Sequence, residues 1–275
     1  MPRTPRTNTT EQGRSRAANR SLNASLEHGL SVLEAVASHK DDIPLATLAQ
    51  NVGLKKTSTW RLVHTLVKLG YVRQDPKTRH FRPAPRVLSL GYSYFDGLDL
   101  KQLSAPFLSD LAARFNEAVN LAVLDGDEVI FLERIRSSHI ISINLHVGSR
   151  LPLYSTSLGR ALICEMPDDW LQAYMKRLAS DRRAKDYLGS GKKVLPKILE
   201  ETRRLGYALN DQELVNGLRA VASPIRDSTC EIVGAVGVGA PASRISLIEL
   251  RRNIARAVVS TAGQISTALG YKLDP

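Results

Sequence analysis

The sequence predicts an α+β protein with an N-terminal winged helix-turn-helix domain, a linker helix and a C-terminal domain built on an antiparallel sheet. Three observations lead there. Two helical periodicities flank Gly53, and a β-type hairpin pattern rich in Arg and Lys follows them. Positive charge is concentrated in the same third of the chain: residues 1–90 carry fifteen Lys and Arg against six Asp and Glu. They supply +9 of the formal +11, whereas the remaining residues are close to neutral. Beyond residue 117 the pattern turns to β-rich runs flanked by helical segments, as in an α+β domain.

The elements follow in order. Residues 1–23 hold five Arg, one Glu and almost no large apolar side chains, so they cannot bury enough surface to offset ordering entropy and are expected to be a disordered basic tail. Residues 24–86 form the DNA-binding unit. Leu26, Leu30, Leu33 and Val36 recur at helical spacing; so do Leu45, Leu48, Ala49 and Val52, and after Gly53 come Thr59, Leu62, Val63, Leu66 and Leu69. Lys55, Lys56, Thr57 and Ser58 open this last helix, with Arg61 and His64 outside its apolar stripe. Such a helix suits a major groove. Lys56 is placed to donate to guanine, and Thr57 or Thr59 to meet a thymine methyl or a phosphate. Thr59 competes with a core position. Arg61 and His64, with Arg73, Lys77 and Arg79 of the wing, suit phosphates. Trp60 is read as a packing residue.

Residues 87–98 read as a linker helix whose apolar side chains can pair with a second copy. In residues 99–275, a helix is expected over 103–115, with Pro106 confined to its first turn. Strands are expected at 118–124, 129–135, 140–147, 207–210, 219–226 and 232–239, and helices at 157–164, 168–178, 194–205 and 246–269. Asp125-Gly126-Asp127-Glu128 signals a hairpin, and Gly206 a helix stop.

Cys164 and Cys230 stand far apart without His or Cys at metal spacing, so reduced thiols and no metal or cofactor are expected. No apolar run approaches membrane-spanning length and residues 1–24 lack a signal-sequence core, which predicts a cytoplasmic protein away from membranes. An enzyme fused to a nucleic-acid module is the contrasting reading. G-x-S-x-G, H-E-x-x-H and a phosphate loop are all missing, and Asp211 and Glu213 read as turn caps. A constitutive architectural DNA binder is the third reading, and the large near-neutral C-terminal part argues against it.

Three segments, GLKKTSTWRLVHTLVKLGYV (53–72), LPLYSTSLGRALI (151–163) and GYALNDQELVNGLRAVASPIRD followed by IVGAVGVGAP (206–227 and 232–241), resemble in order and spacing the IclR family of bacterial transcriptional regulators. The resemblance covers nearly everything after Ser21. It implies a GAF-like effector-binding domain, a double-stranded operator as partner, homodimers and often tetramers, and RNA polymerase as a further partner if the protein activates. Matching the family's pocket position by position gives Ser157, Leu158, Asn210, Leu218, Ala220, Gly237 and Gly239. Ala220, Gly237 and Gly239 stand where members binding small oxoacids tend to carry polar groups. Loss of those groups leaves room for a bulkier effector, such as one with an aromatic ring. The 133–157 stretch further resembles members that respond to hydroxybenzoates and protocatechuate, which suggests control of aromatic-acid catabolism.

An anionic effector needs a cation or clustered donors. Arg134, His146, Arg150 and Arg219 are the cations near the matched segments, each equally readable as a surface charge. Ser155, Thr156 and Ser157 precede a helix and either offer donors to a carboxylate or simply cap it.

Overall fold

A computed structural model of the chain describes residues 23–90, 99–138, 145–181, 184 and 194–272. The chain divides into two compact units, Met1–Gly97 and Leu98–Pro275. The expected tail before residue 23 lies outside the described residues, as do 91–98 of the expected linker helix and 140–144 of the expected third strand. Residues 86–90 are helical.

In the first unit, α1 (Ala24–Ser38), α2 (Leu45–Asn51) and α3 (Lys56–Lys68) precede a two-stranded antiparallel wing, β1 (Val72–Gln74) with β2 (Phe81–Pro83). Their core is Val32, Val36, Ile43, Leu48, Val63, Val72 and Phe81. Gly53 turns the chain between α2 and α3 at φ +66°, a left-handed conformation that suits glycine, and the Leu54 amide returns to the Ala49 carbonyl. One expectation fails in α1. Leu26 and Leu30 are 61% and 52% exposed, and the core face instead runs through Val32 and Val36.

In the second unit, α4 (Asp99–Phe115) leads into β3 (Ala118–Asp125), β4 (Glu128–Ile135) and the short β5 (Arg150–Pro152). Then come α5 (Ser157–Ile163), α6 (Asp168–Leu178), α7 (Val194–Leu205), β6 (Ala208–Asp211), β7 (Leu218–Arg226) and β8 (Ile232–Pro241). The closing helical segment has three pieces: Leu247–Glu249, a π-helical turn at Leu250–Ile254, and α8 (Ala255–Ala268). The six strands form one antiparallel sheet in the order β5-β4-β3-β8-β7-β6. α5 packs on strands β3, β4, β6, β7 and β8; α8 packs on β7, β8 and α4.

Pro106 lies inside α4 rather than in its first turn, because the helix begins four residues earlier than expected. Packing carries it past the lost backbone bond: Leu100, Leu108 and Leu111 are all buried. The strand expected over 140–147 is absent from its described part. Residues 145–149 instead make a turn, in which the Ser149 amide donates to the His146 carbonyl and the Gly148 amide to the Phe131 carbonyl. β5 takes the edge position next to β4.

Candidate DNA interface and effector cavity

Rotation of about 100° per residue sorts the side chains of α3. Thr59 and Val63 are buried, while Thr57, Ser58, Arg61 and Lys68 are exposed. Thr59 is therefore corrected from a DNA contact to a core position, its hydroxyl donating to the Lys55 carbonyl. Lys55 and Lys56 are exposed at the N-terminus of the helix, and His64 is half-buried. Trp60, expected to pack, is 48% exposed and stacks on His64, with ring centroids 4.9 Å apart and planes at 7°.

The wing cations Arg73, Lys77 and Arg79 are all exposed. Their hairpin is shaped by Asp75, whose carboxylate accepts from the Lys77 and Thr78 amides at 2.8 Å. Those backbone donors hold its pKa below the usual carboxylate value.

The second unit contains a cavity of about 250 Å³ between the sheet, α5 and the loop joining β6 to β7. Its floor follows from strand register. Asn120 of β3 pairs with Arg134 of β4 on one side and with Gly237 of β8 on the other. Ala118 pairs with Gly239, Gly239 with Ala220, and Ala220 with Asn210. Two adjacent rows thus bring small residues and two amides to one place, from segments far apart in sequence.

Eight of the ten expected effector residues line this cavity: Arg134, Ser157, Leu158, Asn210, Leu218, Ala220, Gly237 and Gly239. Two do not. His146 is exposed in the turn before β5, and its Nδ1 lies 2.9 Å from the Val147 carbonyl. Ser155 is buried, with its hydroxyl donating to the Pro152 carbonyl. Of the other cations considered, Arg150 bridges Asp125 and Glu128 at the surface, and Arg219 binds Asp211 together with the Ala242 and Ile245 carbonyls. Asp211 and Glu213 are thus ion-pair partners rather than turn caps, Glu213 pairing with Arg160.

Arg134 donates to the Asn120 side-chain oxygen at 3.0 Å. Burial, aided by the neighbouring charge of Arg136, lowers its pKa from the ordinary guanidinium value. At α5, the Thr156 hydroxyl accepts from the Gly159 amide, which is the capping role foreseen as the plainer alternative. Thr156 also lines the cavity; Asn120, Phe131, Ser137, Leu145, the 214–217 loop and Arg244 line it too and were not foreseen. Asn120 had left a signal, being the single polar residue in the otherwise apolar run 118–124. Arg244 forms a two-pronged bridge to the buried Glu117, so that acid does not present an unbalanced negative charge to the cavity.

Comparison with known proteins resolves the class. The pattern of the IclR helix-turn-helix domain matches residues 25–76, and that of the bacterial transcriptional regulator IclR C-terminal domain matches residues 92–267. The chain belongs to the IclR family. The Pca regulon regulatory protein of Pseudomonas putida is 33% identical over 229 residues, covering 83% of this chain and 78% of that protein. The transcriptional repressor IclR of Escherichia coli K12 is 30% identical over 224 residues, 81% of each chain. The crystal structure of a candidate transcriptional regulator from Rhodococcus sp. RHA1 superposes with a TM-score of 0.74 at 33% identity, covering 90% of this chain and 98% of that one. This IclR-family protein is therefore a DNA-binding, ligand-responsive transcriptional regulator and not an enzyme. Among the described residues, no helix is long and apolar enough to cross a membrane.

Proposed function

We propose that α3 and the wing hold operator DNA, and that the cavity of the second unit takes a small organic acid bearing an aromatic ring. The composition of the cavity carries the effector reading. Alanines and glycines floor it, while Arg134, Asn120, Ser157 and Asn210 stand in the wall. A dry cavity of about 150 Å³ is enough for benzene, so 250 Å³ accommodates one ring with its carboxylate and hydroxyl groups. A carboxylate beside Arg134 offsets the desolvation that burial imposes on the guanidinium. Similarity to the Pca regulon regulatory protein supports a role in aromatic-acid catabolism.

Self-association is part of the proposal. Leu26, Leu30, Leu88 and Leu90 of the first unit are 52–74% exposed, an apolar surface suited to a second copy. The regulator would work in the cytoplasm as a homodimer or tetramer, and an activating role would add RNA polymerase as a partner.

Thermal shift and calorimetry on the full chain test the effector reading with 4-hydroxybenzoate, protocatechuate, glyoxylate and pyruvate. The aromatic acids should raise stability by about 2.7 kcal/mol at one hundred times Kd. Stabilisation by glyoxylate or pyruvate alone would overturn the aromatic assignment.

A further inference from the structure

Trp60 occupies an unusual place for so large an apolar side chain. Its neighbour Thr59 is fully buried, yet the indole is 48% exposed, on the flank of α3 between the core and the face that carries Thr57 and Arg61. One ring face lies against His64, one turn further along. That i,i+4 stack restricts the indole before any partner arrives, so little side-chain entropy remains to be lost on binding. The exposed cations Lys55, Lys56 and Arg61 lie near it in sequence, in the most basic part of the chain.

An exposed ring within a cationic helix needs a partner that offers both negative charge and an apolar group. Duplex DNA supplies both: phosphates on the groove walls, and in the major groove the thymine C5 methyl, the apolar group among the base edges. We infer that Trp60 reads a thymine through its methyl group, making it a specificity-determining residue of the helix-turn-helix unit, with His64 as the residue that positions the indole. The inference rests on α3 being the helix that enters the groove.

The test uses the full chain. Duplexes bound by the wild-type protein are selected from a random-sequence library. Kd is then measured for the selected duplex, for a scrambled duplex, and for versions in which each thymine is replaced by deoxyuridine, which lacks only the methyl. One thymine per half-site should be sensitive, its replacement weakening wild-type binding fivefold or more and leaving Trp60→Ala unaffected. Trp60→Ala should lose the same factor on the selected duplex and stay within twofold of wild type on the scrambled one. Trp60→Phe should keep the thymine preference, and His64→Ala should reduce it in part.

Arg61→Ala separates the two levels of the argument. It should weaken selected and scrambled duplexes alike if α3 meets DNA, and no effect there would remove the basis of the inference. With α3 confirmed, the assignment of Trp60 is overturned by silent deoxyuridine replacements, by equal loss on both duplexes, or by loss of self-association of Trp60→Ala in sedimentation. The last two results mark sugar stacking and a subunit contact respectively.

Discussion

Arg160, 1% exposed on α5, donates to both carboxylate oxygens of Glu213 in the β6–β7 loop, at 3.1 and 2.5 Å. The same guanidinium also donates to the Tyr154 and Leu209 carbonyls. The pair clamps the helix on one side of the cavity to the loop on the other, since Leu214, Val215, Asn216 and Gly217 follow Glu213 directly. Asn210 adds to the clamp, donating to the Ser155 carbonyl and accepting from the Glu213 amide. Removing one partner of a buried pair costs about 3–5 kcal/mol, and the partial exposure of Glu213 reduces that. Glu213→Ala should lower stability by about 2 kcal/mol in urea unfolding. It should also weaken effector binding, as read by calorimetry at a temperature where the variant is folded.

Gly159 is fixed by a close approach of two backbones. A Cβ built there would stand 2.3 Å from the Leu153 carbonyl oxygen and 2.4 Å from its Cα. Neither is a flexible side-chain end that can swing away. Gly159→Ala should therefore cost about 3 kcal/mol or more, at the upper end of overpacking penalties. Chemical denaturation would show this as a lower midpoint.

Gly239 behaves differently. A Cβ there would meet only Leu218 Cδ1, at 3.9 Å, so the position tolerates a side chain that projects into the cavity. Gly239→Val should leave the melting temperature within a few degrees of wild type while reducing the response to aromatic acids at least tenfold. Calorimetric titration of the folded variant checks it. At Gly237 the space is already taken, with Val221 O at 2.8 Å and Ala222 Cβ at 2.9 Å, so the same change should disrupt the sheet.

The two thiols should separate by reactivity. Burial raises the Cys164 pKa to about 11, whereas Cys230 is exposed. Because the thiolate is the reactive form and a raised pKa depletes it, at pH 8 roughly one Cys164 in a thousand is ionised. Titration of the native protein with a disulfide reagent at pH 8 should release one equivalent quickly, and the second only on unfolding. Rapid reaction of both would contradict the buried placement.

Local periodicity made much of the architecture readable. α6 and α7 run over the residues their apolar spacing predicts, and the wing follows the expected turn. Thr59 shows where a one-dimensional pattern stops: it lies on the apolar stripe and also at a position expected to meet DNA, and only packing decides between them. The cations show the same limit more sharply. Arg134, Arg150 and Arg219 look alike in sequence, but cross-strand register sends Arg134 to the cavity while nearby acids hold the other two. The 214–217 wall depends on Arg160, 53 residues from Glu213, and no local signal carries that distance. The π-helical turn before α8 was likewise invisible, since its spacing differs little from that of a continuous helix.

The alternation of side chains along β8 divides labour between the two faces of the sheet. Gly237 and Gly239 belong to the cavity side, whereas Val236 alternates to the reverse side and is essentially inaccessible to solvent. Under the proposed effector reading, stability and selectivity are encoded in interleaved letters of one strand. With the effector in this cavity as proposed, a single change at Gly239 would alter what is sensed without touching the hydrophobic layer that keeps the domain folded.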